Sequence, residues 1–201
     1  MTITAIKQQE RLKGRYSIYI DEKYAFSLSA DALLAEKLHT GQELDAAQLK
    51  TYKKLSADDK AYGLALAYVA RRMRSRHELT DYFRRKGYEA GLGEQILKKL
   101  ENLRLVDDQA FAEAWVRNRR MLKPVSKRRL TQELRQKRVA DDIIEQTLAE
   151  DETDERTVLK ELIEKRRRQS KYQDDLKLMQ YLARQGFSYD DIKAALRREE
   201  E

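Results

Sequence analysis

The sequence predicts a mainly α fold: three tandem three-helix repeats, helix-turn-helix-like, in an elongated curved array behind a small N-terminal antiparallel β segment. Three observations predict it. Apolar residues recur at helical spacing in three blocks, and the third helices align at a constant interval: Ile96, Ile144 and Ile192, then Leu100, Leu148 and Leu196, are each 48 residues apart. Residues 2 to 28 instead alternate in the manner of strands, with Tyr16, Ile18 and Ile20 followed by Tyr24, Phe26 and Leu28. The composition, 38% charged and 41% hydrophobic with one proline and seven glycines in 201 residues, suits solvated helices with a modest core.

Taken in order, ITAIKQQ and RYSIYIDEKYAFSLS form the small sheet, with Asp21, Glu22 and Lys23 as the turn. A sheet this small needs a platform, which the following helices supply. Ser29 or Asp31 caps a helix that reaches Leu38 and stops at Thr40-Gly41, and a second short helix covers Asp45 to Leu55. The repeats begin after Ser56. In the first, AYGLALAYVARRM, SRHELTDYFRRKG and GEQILKKLENL are the three helices. The second spans Asp107 to Leu148, with apolar blocks Phe111, Trp115 and Val116, then Leu130 and Leu134, then Ile143, Ile144 and Leu148. The third reads TVLKELIEKRRR, DDLKLMQYLARQG and SYDDIKAALRR. Leu79, Phe83 and Gly87 correspond to Leu130, Leu134 and Arg138 and to Leu178, Leu182 and Gly186. The expected parts are therefore 1–56 for the β segment and short helices, 57–106 for repeat 1, 107–150 for repeat 2 and 151–201 for repeat 3. The joints lack Gly/Ser linkers, which predicts stacked modules.

With no cysteine, disulfides and thiolate metal sites are excluded. No apolar run approaches a membrane span of roughly 18 residues, and the start lacks an apolar signal segment, which places the protein in the cytoplasm. Five aspartate pairs, at 58–59, 107–108, 141–142, 174–175 and 190–191, could suggest metal-dependent phosphodiester chemistry. Each stands at a predicted helix start, where a carboxylate caps free N–H groups and complements the dipole, and that is the reading adopted. His39 and His77 have no partner at ligand or triad spacing, and no glycine-rich phosphate loop occurs. Neither catalysis nor a cofactor is expected. Trp115 could stack on a base, but its place beside Phe111 and Val116 favours the core.

The net charge of +7 is concentrated in the middle, where residues 58–106 carry 11 cations against 7 anions and 151–201 carry 12 against 13. Each first helix ends in cations: Arg71, Arg72, Arg74 and Arg76; then Arg117, Arg119 and Arg120; then Lys165 to Arg168. Lys123, Lys127, Arg128 and Arg129 extend the second run to seven cations in the thirteen residues 117–129. A helix dipole needs one or two cations, so the excess points to phosphates or acidic protein surface, which arginine forks match bidentately. The candidate contacts are Arg71, Arg72, Arg74, Arg76, Arg117, Arg119, Arg120, Lys127, Arg128 and Arg129.

The passages SRHEL at Ser75 to Leu79, LVDDQAFA at Leu105 to Ala112, RLTQEL at Arg129 to Leu134 and GFSYDDI at Gly186 to Ile192 resemble the RecX family of bacterial recombination regulators. The resemblance runs from about Tyr62 to Arg198; Arg138 departs from it, standing where a glycine commonly ends the second helix. It implies all-helical three-helix repeats, in some members behind a β extension. It also implies an inhibitor that lies in the groove of the RecA filament on DNA and suppresses strand exchange, ATPase and co-protease activity; a monomer with weak, non-specific affinity for single- and double-stranded DNA is expected. A stand-alone helix-turn-helix DNA-binding protein is the alternative. It is disfavoured because the second helices, HELTDYFRRK and KRRLTQELRQK, share no polar reading face.

Overall fold

A computed structural model describes residues 1–197. The strands are β1 Ile3–Gln8, β2 Arg15–Ile20 and β3 Lys23–Ser29, an antiparallel sheet in the order β1-β2-β3. The helices are α1 Ala30–Ala35, α2 Ala46–Val69, α3 Arg76–Arg85, α4 Ala90–Asn102, α5 Asp108–Leu122, α6 Lys127–Gln136, α7 Asp141–Ala149, α8 Glu155–Arg167, α9 Asp175–Arg184 and α10 Tyr189–Arg197. A 3-10 turn at Ser170–Tyr172 joins α8 to α9. Two compact units result, one of residues 1–72 and 83–100, the other of 73–82 and those from 101 onwards. The mainly α class, the tandem three-helix plan and the N-terminal antiparallel sheet are as the sequence predicts.

In the first unit the turn between β2 and β3 is only Asp21-Glu22, both left-handed with φ of 47° and 67°, and Lys23 already belongs to β3. That geometry ordinarily wants glycine. Here hydrogen bonds compensate: the Thr2 N–H donates to Asp21 Oδ1 at 3.0 Å and the Glu22 N–H to Thr4 Oγ1 at 3.0 Å. Ile3, Ile18, Phe26 and Leu28 are buried with Leu38 and Leu44 beneath the sheet. Helix α1, capped by Ser29, is shorter than expected and gives way at Lys37, which is left-handed at φ 51°.

The helix break expected between Leu55 and Asp58 does not exist, because α2 runs unbroken for 24 residues from a capping box of Asp45 and Gln48. Asp58-Asp59 is therefore mid-helix and caps nothing. Asp59, read in sequence as part of a helix start, and Ser56, read as a boundary, serve the edge of β3 instead. Ser56 Oγ donates to Ser27 O at 2.6 Å, while Ser29 donates to Asp59 through its N–H at 2.9 Å and its hydroxyl at 2.6 Å. Arg15 closes the group with a nearly buried 2.8 Å ion pair to Asp59. The helix thereby shields an edge strand that would otherwise expose pairing groups.

The repeats' apolar register agrees with the 48-residue interval. Leu79, Leu130 and Leu178 are fully buried, as are Leu134 and Leu182, and Ile96, Ile144 and Ile192 lie in the core. All three second helices end alike, with Gly87, Arg138 and Gly186 left-handed at φ 70°, 55° and 94°. Beyond each, an N–H returns to the carbonyl five residues back: Tyr88 to Phe83 at 3.1 Å, Val139 to Leu134 at 3.2 Å and Phe187 to Leu182 at 3.4 Å. This is a Schellman ending, and Arg138 adopts it without glycine's freedom.

Within the second unit the start of one repeat's second helix is completed by the next repeat. Ser75 caps α3 by accepting the Glu78 N–H at 3.2 Å, and Asp108 at the start of α5 accepts the Arg76 N–H at 2.8 Å. Ser126 caps α6 by accepting the Arg129 N–H at 3.1 Å, and Glu155 at the start of α8 accepts the Lys127 N–H at 2.5 Å. The far end of the next second helix closes each joint: Ser75 Oγ donates to Lys137 O at 3.0 Å, and the Ser126 N–H donates to Gln185 O at 3.1 Å.

Candidate interaction surface

The ten candidate cations divide by what holds them. Arg71 and Arg72 lie in the turn after α2, which ends at Val69, and Arg74 lies in the connection to α3; Arg76 is the first residue of α3. The first arginine cluster is thus an inter-helix segment rather than a helix end. Arg76 also pairs through its guanidinium with Glu101 at 2.5 Å. Arg117, Arg119 and Arg120 lie in the last turns of α5, as expected, and Lys127, Arg128 and Arg129 in the first turn of α6.

Two of the ten are consumed inside the protein. Arg120 donates to Asp151 at 2.6 Å and 3.0 Å and to Val125 O at 2.6 Å, and both members of the ion pair are nearly buried. Lys127 Nζ donates to Leu148 O at 3.1 Å and Asp151 O at 2.8 Å, satisfying carbonyls at and beyond the end of α7. The charges of these two residues hold the connection from repeat 2 to repeat 3. Arg119 is largely engaged as well, donating to Glu133 at 2.8 Å and lying 5.2 Å from the centre of the Trp115 ring. Arg129 reaches the same carboxylate at 3.4 Å. Arg71, Arg117 and Arg128 are exposed, and among the described residues no hydrogen bond or ion pair engages their side chains.

Trp115 packs against the repeat 2 core and donates its indole N–H to Glu133 Oε2 at 3.0 Å, with Lys137 Nζ 5.3 Å from the ring centre. Lys137 also pairs with Glu78 at 2.7 Å. The indole is thereby covered by cations and tied to a carboxylate, consistent with the core reading and unfavourable to base stacking.

The aspartate pairs serve helix starts in four of five places. Asp107 and Asp174 are N-caps, accepting from Ala110 and Lys177 at 3.0 Å each. Asp141-Asp142 and Asp190-Asp191 occupy the first turns of α7 and α10. Burial chiefly raises the Asp108 carboxyl above its ordinary value, against the lowering effect of the Arg76 N–H. Asp151 moves the other way: burial would raise it, but hydrogen bonds from Thr153 and Arg120 lower it more. Among the described residues no group of His, Asp or Glu side chains could hold a metal ion. None of their helices is long and apolar enough to cross a membrane.

One exposed feature escaped the charge-based reading. Met121 and Leu122, directly after the arginines of α5, are each 74% exposed. The apolar block Phe111, Trp115 and Val116 packs on the repeat 2 core, and α5 runs on beyond it to these two residues.

Comparison with known proteins covers most of the chain. Residues 1–45 match the model of the regulatory protein RecX N-terminal domain, and 61–100, 107–148 and 154–196 match the first, second and third three-helix domains of RecX. A regulatory protein RecX from Bacillus pumilus is 35% identical over 199 residues, 96% of this chain and 76% of that protein. Its counterpart from Halalkalibacterium halodurans is 38% identical over 122 residues, a match spanning 46% of that relative's length. A crystal structure of a regulatory protein RecX superposes with a TM-score of 0.73 at 30% identity, covering 98% of each chain. That of RecX from Lactobacillus salivarius gives 0.59 at 27% identity, covering 70% of this chain and 95% of that one.

Proposed function

The chain belongs to the RecX family, and on that premise we propose that it regulates the RecA recombinase by binding, without chemistry of its own. In this reading it is a cytoplasmic monomer that lies in the groove of the RecA–DNA filament and suppresses strand exchange, ATP hydrolysis and co-protease activity. The observation that supports it is the recurrence of cations at the first-to-second helix connections. Arg71 in the first unit, and Arg117 and Arg128 in the second, are exposed, and among the described residues their guanidinium groups are uncommitted. Guanidinium groups left unspent by the fold suit DNA phosphates and acidic protein surface alike. Arg119, Arg120 and Lys127 keep a supporting role, fixing the helix ends that present the others.

The test is the triple charge reversal Arg71→Glu, Arg117→Glu and Arg128→Glu, assayed for inhibition of the DNA-dependent ATPase of RecA. Inhibition is expected to fall by at least about tenfold while helicity by circular dichroism stays unchanged. Unchanged inhibition overturns the reading. DNA binding without RecA is expected to be weak and sequence-blind, with a logarithmic salt slope of about 0.7 to 0.9 per phosphate contacted. Tight, sequence-selective binding would favour the stand-alone DNA-binding alternative instead.

A further inference from the structure

The tip of α5 combines three properties that a solvated helix end does not need. It is apolar: Met121 and Leu122 are each 74% exposed. It is hollow beside the apolar residues, with a cavity of about 310 Å³ lined by Trp115, Asn118, Arg119, Leu122 and Lys123. It is also held in shape. The Lys123 N–H still donates to Arg119 O at 3.0 Å, Pro124 stiffens the exit, and the buried Arg120 guanidinium grips Val125 O at 2.6 Å while paired with Asp151. A surface fixed before binding loses little entropy on association.

We propose that this tip docks on protein: an acidic, amphipathic segment of a partner whose apolar face covers Met121 and Leu122 and whose carboxylates meet Arg117 and Lys123. The inference rests on the function proposed above and assigns this patch to the protein component of the filament rather than to its DNA. Charge complementarity argues for an acidic partner, since Arg117 and Lys123 are exposed cations and the nearby Glu133 is already neutralised by Arg119 and Arg129. The apolar residues argue against nucleic acid, because bases are held by aromatic platforms and the one indole here is bonded to Glu133 and covered by Arg119 and Lys137. Two adjacent exposed aliphatic side chains rimmed by cations are the form of an anchor for an acidic amphipathic partner.

The test uses the full chain with Met121→Ser and Leu122→Ser together, measured for binding to RecA filaments on DNA and, separately, to the same DNA alone. Filament affinity is expected to drop by about tenfold or more, DNA affinity to stay within about twofold, and the circular dichroism to be unchanged, since both side chains face solvent. A photo-crosslinking residue placed at Met121 is expected to join the chain to a protein subunit. A wild-type protein that inhibits with the double variant equally potent overturns this inference and leaves the proposed function standing. Crosslinks to DNA, or a parallel loss of DNA affinity, show an apolar wedge between bases and overturn it as well. A wild-type chain that neither binds nor inhibits the filament overturns both.

Discussion

The joint from repeat 1 to repeat 2 and the joint from repeat 2 to repeat 3 share one plan and differ in what tightens it. In both, a buried serine caps the second helix, a carboxylate from the next repeat accepts the following N–H, and the end of the next second helix closes over the top. The earlier joint is tightened by a partly buried ion pair, Lys137 with Glu78. The later joint is tightened by steric fit and a buried ion pair: Gly186 presses on Ser126, and Arg120 with Asp151 locks the entry to α8. One backbone design thus tolerates an arginine at the closing turn of repeat 2 and demands glycine at that of repeat 3.

The largest effect is expected from breaking the later joint at its ion pair. Arg120→Met leaves Asp151 buried and unpaired, which costs about 3 to 5 kcal/mol, read as a loss of stability in chemical denaturation. The pH dependence follows the same contact. The Asp151 carboxyl lies below the usual 3.8, so in the wild type it contributes stability that is complete above that value and lost as pH falls through the lowered pKa. Arg120→Met is expected to flatten that acid limb. Asp108, raised above 3.8 chiefly by burial, has the opposite sign: it adds relative stability as pH falls from its raised pKa towards the ordinary value.

Next in size is Gly186→Ala. A Cβ there would lie 2.4 Å from Ser126 Oγ and 2.8 Å from Arg129 Cβ, at a φ of 94°. Crowding and the left-handed backbone together cost about 2 to 4 kcal/mol, measurable as a fall in thermal midpoint. The smallest effect has the reverse sign. Arg138→Gly relieves the backbone at φ 55° in repeat 2, where repeats 1 and 3 have Gly87 and Gly186, and is expected to stabilise by about 0.5 to 1 kcal/mol. If Gly186→Ala proved harmless, or Arg138→Gly strongly destabilising, the two joints would not differ in the way described.

How far the sequence could be read follows from which residues carry repeating signals. Leu79, Leu130, Leu178 and the isoleucines at 96, 144 and 192 announce a period because burial is their only business, and they are buried. Asp107 and Asp174 announce helix starts by local chemistry and do cap them. Ser56 and Asp59 carry the same letters, yet they serve hydrogen bonds to β3 some 29 and 30 residues away, which no local rule can see. The candidate cations are legible in sequence as a cluster, but what each one does in the fold is not. Arg117 and Arg120 look alike in sequence, and only the fold shows that one faces water while the other meets Asp151 from the next repeat.

The shared caps also give the chain a direction in time. The first N–H groups of α3 and α6 have their own serines, but the carboxylates that complete them, Asp108 and Glu155, lie 32 and 28 residues further along. During synthesis, repeat 1 waits for the start of repeat 2, and repeat 2 for the start of repeat 3, before their second helices are fully closed. Helix α9 is capped by Asp174, the residue immediately before it. Assembly therefore propagates along the chain, each of the later two repeats latching its predecessor, while the second helix of repeat 3 takes its cap from the residue beside it.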